Sequence, residues 1–300
     1  MPRSPVDTEI EQYESYLRDV CGTANATRVS RVRYVGAFLK DVFGVGAVHR
    51  TAISAAALRS FVIARARTCR PSSTSVIASA LRSYVRWLAL EGLAVDHLCE
   101  AIPAVARWRL ATVPRHLQPE ERDRLLQSFH RQNPRGRRDY AMTRCLMDLG
   151  LRAGEVAGLR LNDIDWRAAT LTIHATKTHR SRVLPMPAGL GRALVRYLQV
   201  RPTTTHRHLF VRFGVLHGDP VTPSVVRSAV RLGYRRAGLP QTYTGTHRLR
   251  HGAATQLVSA GASLKEVADI LGHQSLDSTA IYTKVDLPRL RSVALPWEVA

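Results

Sequence analysis

Cysteine is scarce and scattered in this chain of 300 residues. Its four cysteines form no C-x-x-C pair and lie far apart in the sequence, at Cys21, Cys69, Cys99 and Cys145. This spacing excludes a disulfide-stabilised scaffold and a cysteine zinc site, because both need closely paired or clustered thiols. We therefore interpret all four as reduced thiols within a core.

Long apolar runs are absent as well. No stretch reaches the length that crosses a bilayer, and the first residues, Met1-Pro2-Arg3-Ser4-Pro5, lack the pattern of a signal peptide. The hydrophobic content of 45% is ample for a core, and 300 residues suffice for two modest domains or one large domain. These features predict a soluble cytoplasmic protein that does not engage a membrane.

Motifs for nucleotides and metals are also lacking. The chain contains no P-loop, no G-x-G-x-x-G and no aspartate cluster suited to magnesium. Chemistry that depends on ATP, a dinucleotide or a divalent cation is therefore not indicated, and we predict no cofactor.

Acidic residues are few relative to basic ones. The 44 Lys and Arg residues exceed the 23 Asp and Glu residues, so the net charge is +21. A compositional bias toward arginine is visible, since only four of the bases are lysine: Lys40, Lys177, Lys265 and Lys284. Such a bias replaces lysine but creates no excess over acids. The excess predicts a polyanionic partner, most simply a nucleic acid.

Helical periodicity dominates residues 1–105 and predicts a helical domain. Apolar residues recur every three to four positions in segments that begin near Asp7, Val32, Thr51 and Ser72. On the last of these segments, Arg82 and Arg86 lie four residues apart, with Arg67 and Arg70 near the preceding turn. They predict a basic face toward a DNA backbone, although solvated surface arginines explain the pattern equally well.

The pattern breaks between Pro103 and Pro114, so we predict a linker at residues 106–116. A second domain follows at residues 117–285, with a tail at 286–300. In this domain Leu171–Ile173 and Arg182–Leu184 predict a hairpin among helices. The expected fold class is therefore mainly α with a small β-sheet (α+β).

Two basic residues of the second domain suggest phosphate chemistry. Arg152 follows a predicted helix stop at Gly150 and precedes a short predicted helix, and a helix entrance favours anions. Its guanidinium can bind two phosphate oxygens at once, although a surface ion pair with Glu155 is the alternative. Lys177 lies in the predicted hairpin turn and, unlike arginine, can act as an acid. The alternative is an ordinary turn lysine.

Residues 246–282 carry further polar side chains on an otherwise apolar helical pattern. His247 and Arg250 are three residues apart and share a helix face. A capping box at Ser263 to Glu266 predicts a helix over Leu264–Leu271, which Gly272 ends. His273 and, one helix later, Tyr282 complete the set. The set indicates a phosphate clamp with a nucleophile nearby, although Tyr282 alone would fit a core tyrosine.

The ordered set of Arg152, Lys177, His247, Arg250, His273 and Tyr282 resembles the tyrosine recombinase (phage integrase) family, including its Xer-type recombinases. The matching segments are RDYAMTRCLMDLGLRAGEVAGLRLNDID, HRLRHGAAT and LGHQSLDSTAIYTKV. SALRSYVRWLALEG is similar to the helical core-binding domain, so the resemblance covers nearly the whole chain. One departure is that the residues around Lys177 lack the glycines often seen beside the family's lysine.

The resemblance implies an N-terminal helical core-binding (SAM-like) domain and a C-terminal tyrosine recombinase catalytic domain. It implies a site-specific DNA recombinase or integrase that cleaves and rejoins strands through a 3′-phosphotyrosyl intermediate, without ATP or a metal. Tyr282 would be the nucleophile, and Lys177 would protonate the departing 5′-oxygen. Arg152 and Arg250 would hold the non-bridging oxygens. Further hydrogen bonds would come from His247 and His273. We expect Glu155 to orient the Arg152 segment.

The family likeness also implies a homo-tetramer on two double-stranded DNA duplexes, with a second, partner recombinase left open. The apolar tail over Leu290–Trp297 would dock on a neighbouring subunit or fold back on its own domain. Two other functions stay open at this point. One is a type IB topoisomerase, which shares the chemistry, and the other is a non-catalytic DNA-binding protein on a recombinase scaffold.

Overall fold

The computed structural model describes residues 4–95, 97–104, 116–174 and 181–272. The chain divides into two compact units, residues 1–108 and 109–300, each with its own hydrophobic core. Within the described residues, helices predominate and one small antiparallel sheet lies in the second unit. The predicted fold class, mainly α with a small β-sheet, is confirmed.

The finer domain boundaries, 1–105, 106–116, 117–285 and 286–300, stay a prediction. Most of the linker and the whole tail lie outside the described residues. Among the helices that are described, none combines the length and apolarity needed to cross a bilayer.

Helices of the first unit begin at residues suited to helix starts. The Ser4 and Ser54 hydroxyls accept hydrogen bonds from the N–H groups of Asp7 (3.2 Å) and Ala57 (3.1 Å), which no helical carbonyl could satisfy. The helices are α1 (Pro5–Ser15), continued by a π-helical turn over Tyr16–Val20, α2 (Asn25–Phe43), α3 (Ala55–Thr68, after a 3₁₀ turn at Arg50–Ala52), α4 (Pro71–Leu90) and α5 (Leu98–Ala101).

Aromatic side chains fill the core of the first unit. Tyr13 of α1 packs edge-on against Tyr84 of α4, with ring centroids 5.3 Å apart. Phe38 of α2 meets Phe61 of α3 in the same way, at 5.4 Å. These edge-to-face pairs stabilise the contacts of the helices beyond simple burial of area.

One arginine of the predicted DNA-facing surface makes internal contacts. The Arg82 guanidinium on α4 donates to the carbonyl oxygens of Ile102 (2.7 Å) and Pro103 (3.1 Å), just after α5. Arg86, one turn along, is exposed. The basic face stays a prediction, and at Arg82 the Nη2 group is already bonded to carbonyl groups that follow a helix end.

The second unit is assembled around α7. Four of its side chains, Ala141, Met142, Cys145 and Leu146, are completely buried. The elements in order are α6 (Pro119–Gln127), α7 (Pro134–Asp148), α8 (Ala153–Gly158), a 3₁₀ turn at Leu161–Asp163, β1 (Ile164–Asp165), β2 (Thr170–Ile173), β3 (Arg182–Pro185), α9 (Ala188–Leu198), α10 (Pro223–Arg236), α11 (His247–Ser259) and α12 (Leu264–Leu271). Helices α8, α9, α10 and α11 all pack against α7.

The strands form an antiparallel sheet in the order β1-β2-β3. Leu171 pairs with Leu184, and Ile173 pairs with Arg182. Leu171, Ile173 and Leu184 are buried, whereas Val183 on the other face is 61% exposed. The predicted hairpin is confirmed in its strands, while its tip lies outside the described residues.

Helix α12 has the predicted bounds. The Ser263 hydroxyl accepts from the N–H of Glu266 (3.2 Å), and the Glu266 carboxylate accepts from the N–H of Ser263 (2.7 Å), so the capping box is complete. Gly272 ends the helix in the left-handed region, with φ +64°. Val267 and Leu271 face Ala254 and Val258 of α11.

Candidate active site

The candidate site lies at the carboxyl end of α12. The carbonyl oxygens of Ile270, Leu271 and Gly272 accept hydrogen bonds from arginines of other elements. The turn that follows α7 packs tightly against this end of α12. A Cβ on Gly150 would lie 2.5 Å from Leu271 Cδ2. Only glycine fits there, so the turn before Arg152 is held directly against the last turn of α12.

Arg250 of α11 connects these two helix ends. Its Nη1 donates to the Gly150 carbonyl and its Nη2 to the Leu271 carbonyl, both at 2.7 Å. The residue is 6% exposed. A guanidinium suits this position because it presents several donors in a fixed plane and because positive charge is favoured at a helix carboxyl end.

Arg152 approaches the same place from the entrance of α8, as predicted. Its Nη2 donates to the Gly272 carbonyl (2.9 Å), and its Nη1 contacts the Leu271 carbonyl (3.4 Å) and Glu155 Oε1 (3.1 Å). The side chain is 45% exposed. Of the two sequence interpretations of Arg152, the ion pair with Glu155 is present, while the phosphate contact stays a prediction for this accessible side chain.

Glu155 organises the arginines. Its Oε2 accepts from the backbone N–H of Arg152 (2.8 Å) and from Nη2 of Arg182 (3.0 Å). Burial opposes ionisation of this carboxyl, but the hydrogen bond from Arg182 and the charges of Arg182 and Arg152 outweigh burial and lower its pKa. Glu155 is therefore an anion that orients the Arg152 segment, as expected from the sequence.

Arg182, the first residue of β3, is a member of this cluster that sequence reasoning missed. Its Nε donates to the Ile270 carbonyl (2.8 Å), and its side chain is only 12% exposed. The sequence identified Arg182 merely as a strand residue. Arg182 lies close to Lys177 in the sequence, which could have drawn attention to it. No sequence pattern, however, indicates that its side chain contacts α12.

Two histidines of α11 lie beside the arginines. His247 is exposed at the start of the helix, and partial desolvation with the charges of Arg250 and Arg152 lowers its pKa. His251, one turn on, is half-buried, and burial with the charges of His247 and Arg250 lowers its pKa to about 4. Both side chains are therefore neutral at pH 7 in the free protein.

Of the sequence-predicted site residues, the structure brings together Arg152, His247 and Arg250. The others lie outside the described residues: they are Lys177, His273 and Tyr282. Two of these follow or connect described elements. Lys177 belongs to the connection between β2 and β3, and His273 directly follows Gly272.

Comparison with known proteins agrees with this fold. The profile of the phage integrase family matches residues 115–288. A protein of Sinorhizobium fredii, y4rA, named as an integrase/recombinase, is 37% identical over 295 residues, covering 98% of this chain and 72% of that protein. Tyrosine recombinase XerA of Thermococcus onnurineus is 30% identical, covering 95% of this chain and 94% of its own length.

Solved structures show the same fold at lower identity. XerH site-specific recombinase bound to a palindromic difH substrate, in a post-cleavage complex, superposes with a TM-score of 0.73 at 20% identity, covering 97% of this chain and 85% of that one. A lambda integrase tetramer bound to a Holliday junction gives 0.70 at 16% identity, covering 91% and 76%.

Fold and sequence likeness together define a tyrosine recombinase. More particularly, the chain belongs to the phage integrase family, whose profile covers more than half of it. The resemblance stated from the motifs is thereby confirmed, as is the predicted enzyme class of site-specific DNA recombinase. Neither a type IB topoisomerase nor a non-catalytic DNA-binding protein is favoured by these matches.

Proposed function

We propose that this recombinase exchanges a DNA phosphodiester for a 3′-phosphotyrosyl link to Tyr282 and then reverses the step on a new strand. One observation carries the proposal. Arg152 and Arg250, about a hundred residues apart in the chain, converge with His247 at the end of α12. His273 follows that end, directly after Gly272.

Charge supports a phosphate as the ligand of this place. Arg152 and Arg182 share the one carboxylate of Glu155, and Arg250 adds a further positive charge beside them. A diester phosphate carries one negative charge, which develops further in the transition state. Preorganised cations stabilise that charge without rearranging during the reaction.

The arginines then divide by exposure. Arg152, 45% exposed, is the accessible guanidinium that contacts a non-bridging oxygen directly. Arg250 is held in place by two carbonyl groups and is 6% exposed, so it acts as a fixed source of charge and hydrogen bonds at the floor of the site. Each such donor contributes about 3 kcal/mol to the transition state in comparable oxyanion sites.

A bound phosphate would allow the His247 imidazole to act as a hydrogen-bond donor. In the free protein, desolvation together with the charges of Arg250 and Arg152 keeps its pKa low. A bound phosphate reverses the sign of the local field and raises that pKa, so the imidazole can donate to a phosphate oxygen. His273, which directly follows Gly272 at the end of α12, supplies a second hydrogen bond.

The reaction balances without an outside energy source. The Tyr282 oxygen attacks phosphorus and releases its proton to solvent water, the bond from phosphorus to the 5′-oxygen breaks, and a phosphodiester to tyrosine forms. Lys177 gives a proton to the departing 5′-oxygen. Because one phosphodiester replaces another, the bond energy is conserved and the reverse attack by a 5′-hydroxyl rejoins a strand with neither ATP nor a metal.

The remaining assignments follow the family. Residues 1–105 form the helical core-binding domain, residues 106–116 the linker and residues 117–285 the catalytic domain. The enzyme works in the cytoplasm as a homo-tetramer on two DNA duplexes, and the tail at 286–300 docks on a neighbouring subunit. The net charge of +21 suits a protein that binds two polyanions.

The test is covalent trapping on a nicked suicide duplex of a mapped target site. Wild type should form a protein–DNA adduct that survives denaturation, while Tyr282→Phe should form none and keep its DNA affinity within about threefold, since a phenol hydroxyl contributes little to binding many phosphates. Tyr34→Phe, a half-buried tyrosine of the first unit, is the matched control and should react normally.

Other outcomes identify the alternatives. An adduct formed equally on any sequence, with plasmid relaxation and no strand exchange, would indicate a topoisomerase. Tight DNA binding with no adduct from wild type would indicate a non-catalytic DNA-binding protein. If Tyr282→Phe lost DNA affinity to the same extent as adduct formation, the role of the tyrosine would be structural.

A further inference from the structure

We propose that Arg182 is a positioning residue that holds three contributors to the active site in register, an inference that rests on the proposed function. It is placed to join the base of the hairpin that carries Lys177, the Arg152–Glu155 pair and the end of α12 before His273. No pattern in the sequence assigns Arg182 a role beyond its strand.

The geometry is that of a clamp formed by one guanidinium. Nε donates to the Ile270 carbonyl at 2.8 Å, and Nη2 donates to Glu155 Oε2 at 3.0 Å. The side chain is 12% exposed and Glu155 is 7% exposed, so the clamp is shielded from solvent. A buried group of this kind is not available to a DNA phosphate, which makes Arg182 a positioning residue rather than a catalytic one.

Arg182 acts on Arg152 through Glu155. The carboxylate has two oxygens: Oε2 binds Arg182 and the backbone N–H of Arg152, and Oε1 binds Nη1 of Arg152. With Arg182 in place, the carboxylate is fixed at both oxygens. Without Arg182, Glu155 would be bonded only to Arg152, and the Arg152–Glu155 pair would lose its link to β3.

Chain connectivity extends the clamp to two predicted catalytic residues. Arg182 is the first residue of β3 and pairs with Ile173 of β2, so its backbone closes the base of the connection that includes Lys177. Ile270, its acceptor, lies three residues before His273. A fixed distance between Arg182 and Ile270 therefore limits how far the two flanking segments can separate.

The lack of a side chain at Gly272 leaves space for the Arg182 guanidinium. A Cβ on Gly272 would lie 2.7 Å from Nη1 of Arg182, a distance that forces the guanidinium to move. Gly238 offers a matched comparison: it follows α10 with φ +63°, nearly the φ +64° of Gly272, but a Cβ there would meet nothing within 4 Å. Alanine thus introduces the same backbone strain at both positions and displaces Arg182 only at one.

Lysine cannot replace this arginine. The two bonds leave one planar group in diverging directions, whereas an ammonium is a single point at the end of a flexible chain. Arg182→Lys therefore keeps the charge and loses the simultaneous hold on Ile270 and Glu155.

The experiment measures single-turnover adduct formation on the suicide duplex at saturating protein. Arg182→Lys should lower the rate constant by about 10- to 100-fold, the effect of misplacing reacting groups by about 1 Å. Its affinity for DNA should stay within about threefold of wild type. Arg131→Gln, at an exposed arginine of the same unit, is the control and should leave the rate constant unchanged. Misfolding would lower the amplitude of the reaction rather than its rate constant.

A double-mutant cycle gives the decisive reading. Gly272→Ala should slow adduct formation more than Gly238→Ala does. In the Arg182→Lys background, however, Gly272→Ala should add no more than Gly238→Ala, because the displaced guanidinium is gone. Fully additive losses, or an unchanged rate constant in Arg182→Lys, would overturn the inference. If wild type itself forms no adduct, the proposed function fails instead, so the two failures are distinguishable.

Discussion

Each unit of the molecule has a partly buried cluster of charged side chains, and the two clusters differ in their balance of positive and negative charge. In the first unit, Glu9 accepts from Arg50 (3.0 Å) and from the Tyr84 hydroxyl (2.7 Å), and Glu91 lies 3.7 Å from the same arginine. In the second unit, one carboxylate, that of Glu155, is bonded to both Arg152 and Arg182.

This difference in charge balance distinguishes a structural cluster from a ligand site. Arg50 of the first unit also covers the Trp87 ring at 4.8 Å, so that cluster is closed by its own residues. Burial and the neighbouring Glu9 raise the pKa of Tyr84, which therefore stays a hydrogen-bond donor at any physiological pH. The second cluster keeps a surplus of cations near an accessible guanidinium, and a phosphate would offset that surplus.

The strongest test of this difference between the two clusters is to neutralise the accessible cation, Arg152. Arg152→Gln should lower the rate of adduct formation by about 10² to 10³-fold, the cost of removing one preorganised donor to a developing charge. Stability should change by no more than about 0.5 kcal/mol, since the side chain is 45% exposed and its ion pair is solvated. Single-turnover trapping and chemical denaturation measure the two effects.

Arg167→Gln is the control for Arg152→Gln. Arg167 is an exposed arginine of the same unit, so its replacement removes an equal charge away from the site. A similar loss of rate in both variants would mean that long-range attraction of DNA, and not the local phosphate contact, explains the effect.

The opposite pattern is expected in the first unit. Glu9→Gln should destabilise that unit by about 2 kcal/mol, because Arg50 loses its anionic partner and the amide satisfies it less well. The rate constant for adduct formation by folded protein should stay unchanged. Urea unfolding followed by the fluorescence of buried Trp87 reports the loss.

The exposed Glu11 gives the control, Glu11→Gln, which removes the same charge from α1 with little effect on stability. If Glu9→Gln were no less stable than this control, the first cluster would not be the structural element inferred here.

The smallest effect expected is a pH dependence of the stability of the second unit. Because the pKa of His251 is lowered to about 4 in the folded protein, the unfolded chain binds its proton more readily below about pH 6.5. Stability should therefore fall as the pH drops from about 6.5 to about 4. The contribution is about 1 kcal/mol after allowing for partial exposure.

His251→Gln should flatten that part of the stability profile, and His217→Gln, at an exposed position, should not. Denaturation midpoints measured at half-unit pH intervals make the comparison. Parallel stability profiles for wild type and His251→Gln would mean that His251 does not cause the pH dependence.

Much of the local structure could be predicted because its signals act within a few residues. The capping box at Ser263 and the glycine at 272 defined α12 to the residue. The helix stop at Gly150 likewise placed Arg152 at the entrance of α8. Hydrophobic periodicity sufficed for the fold class. The ordered motif residues sufficed for the family, since one class of chemistry uses that set.

What the tertiary structure decided is which polar groups meet. The sequence predicted Arg82 to face DNA, and in the structure its Nη2 group donates to the carbonyls of Ile102 and Pro103. Arg182 looked like an ordinary strand residue, yet it binds Ile270, 88 positions away in the chain. Spacing within a helix or strand fixes the direction of a side chain only relative to its own element. The packing of α7, α11, α12 and the hairpin against one another then determines which distant carbonyl or carboxylate that side chain contacts.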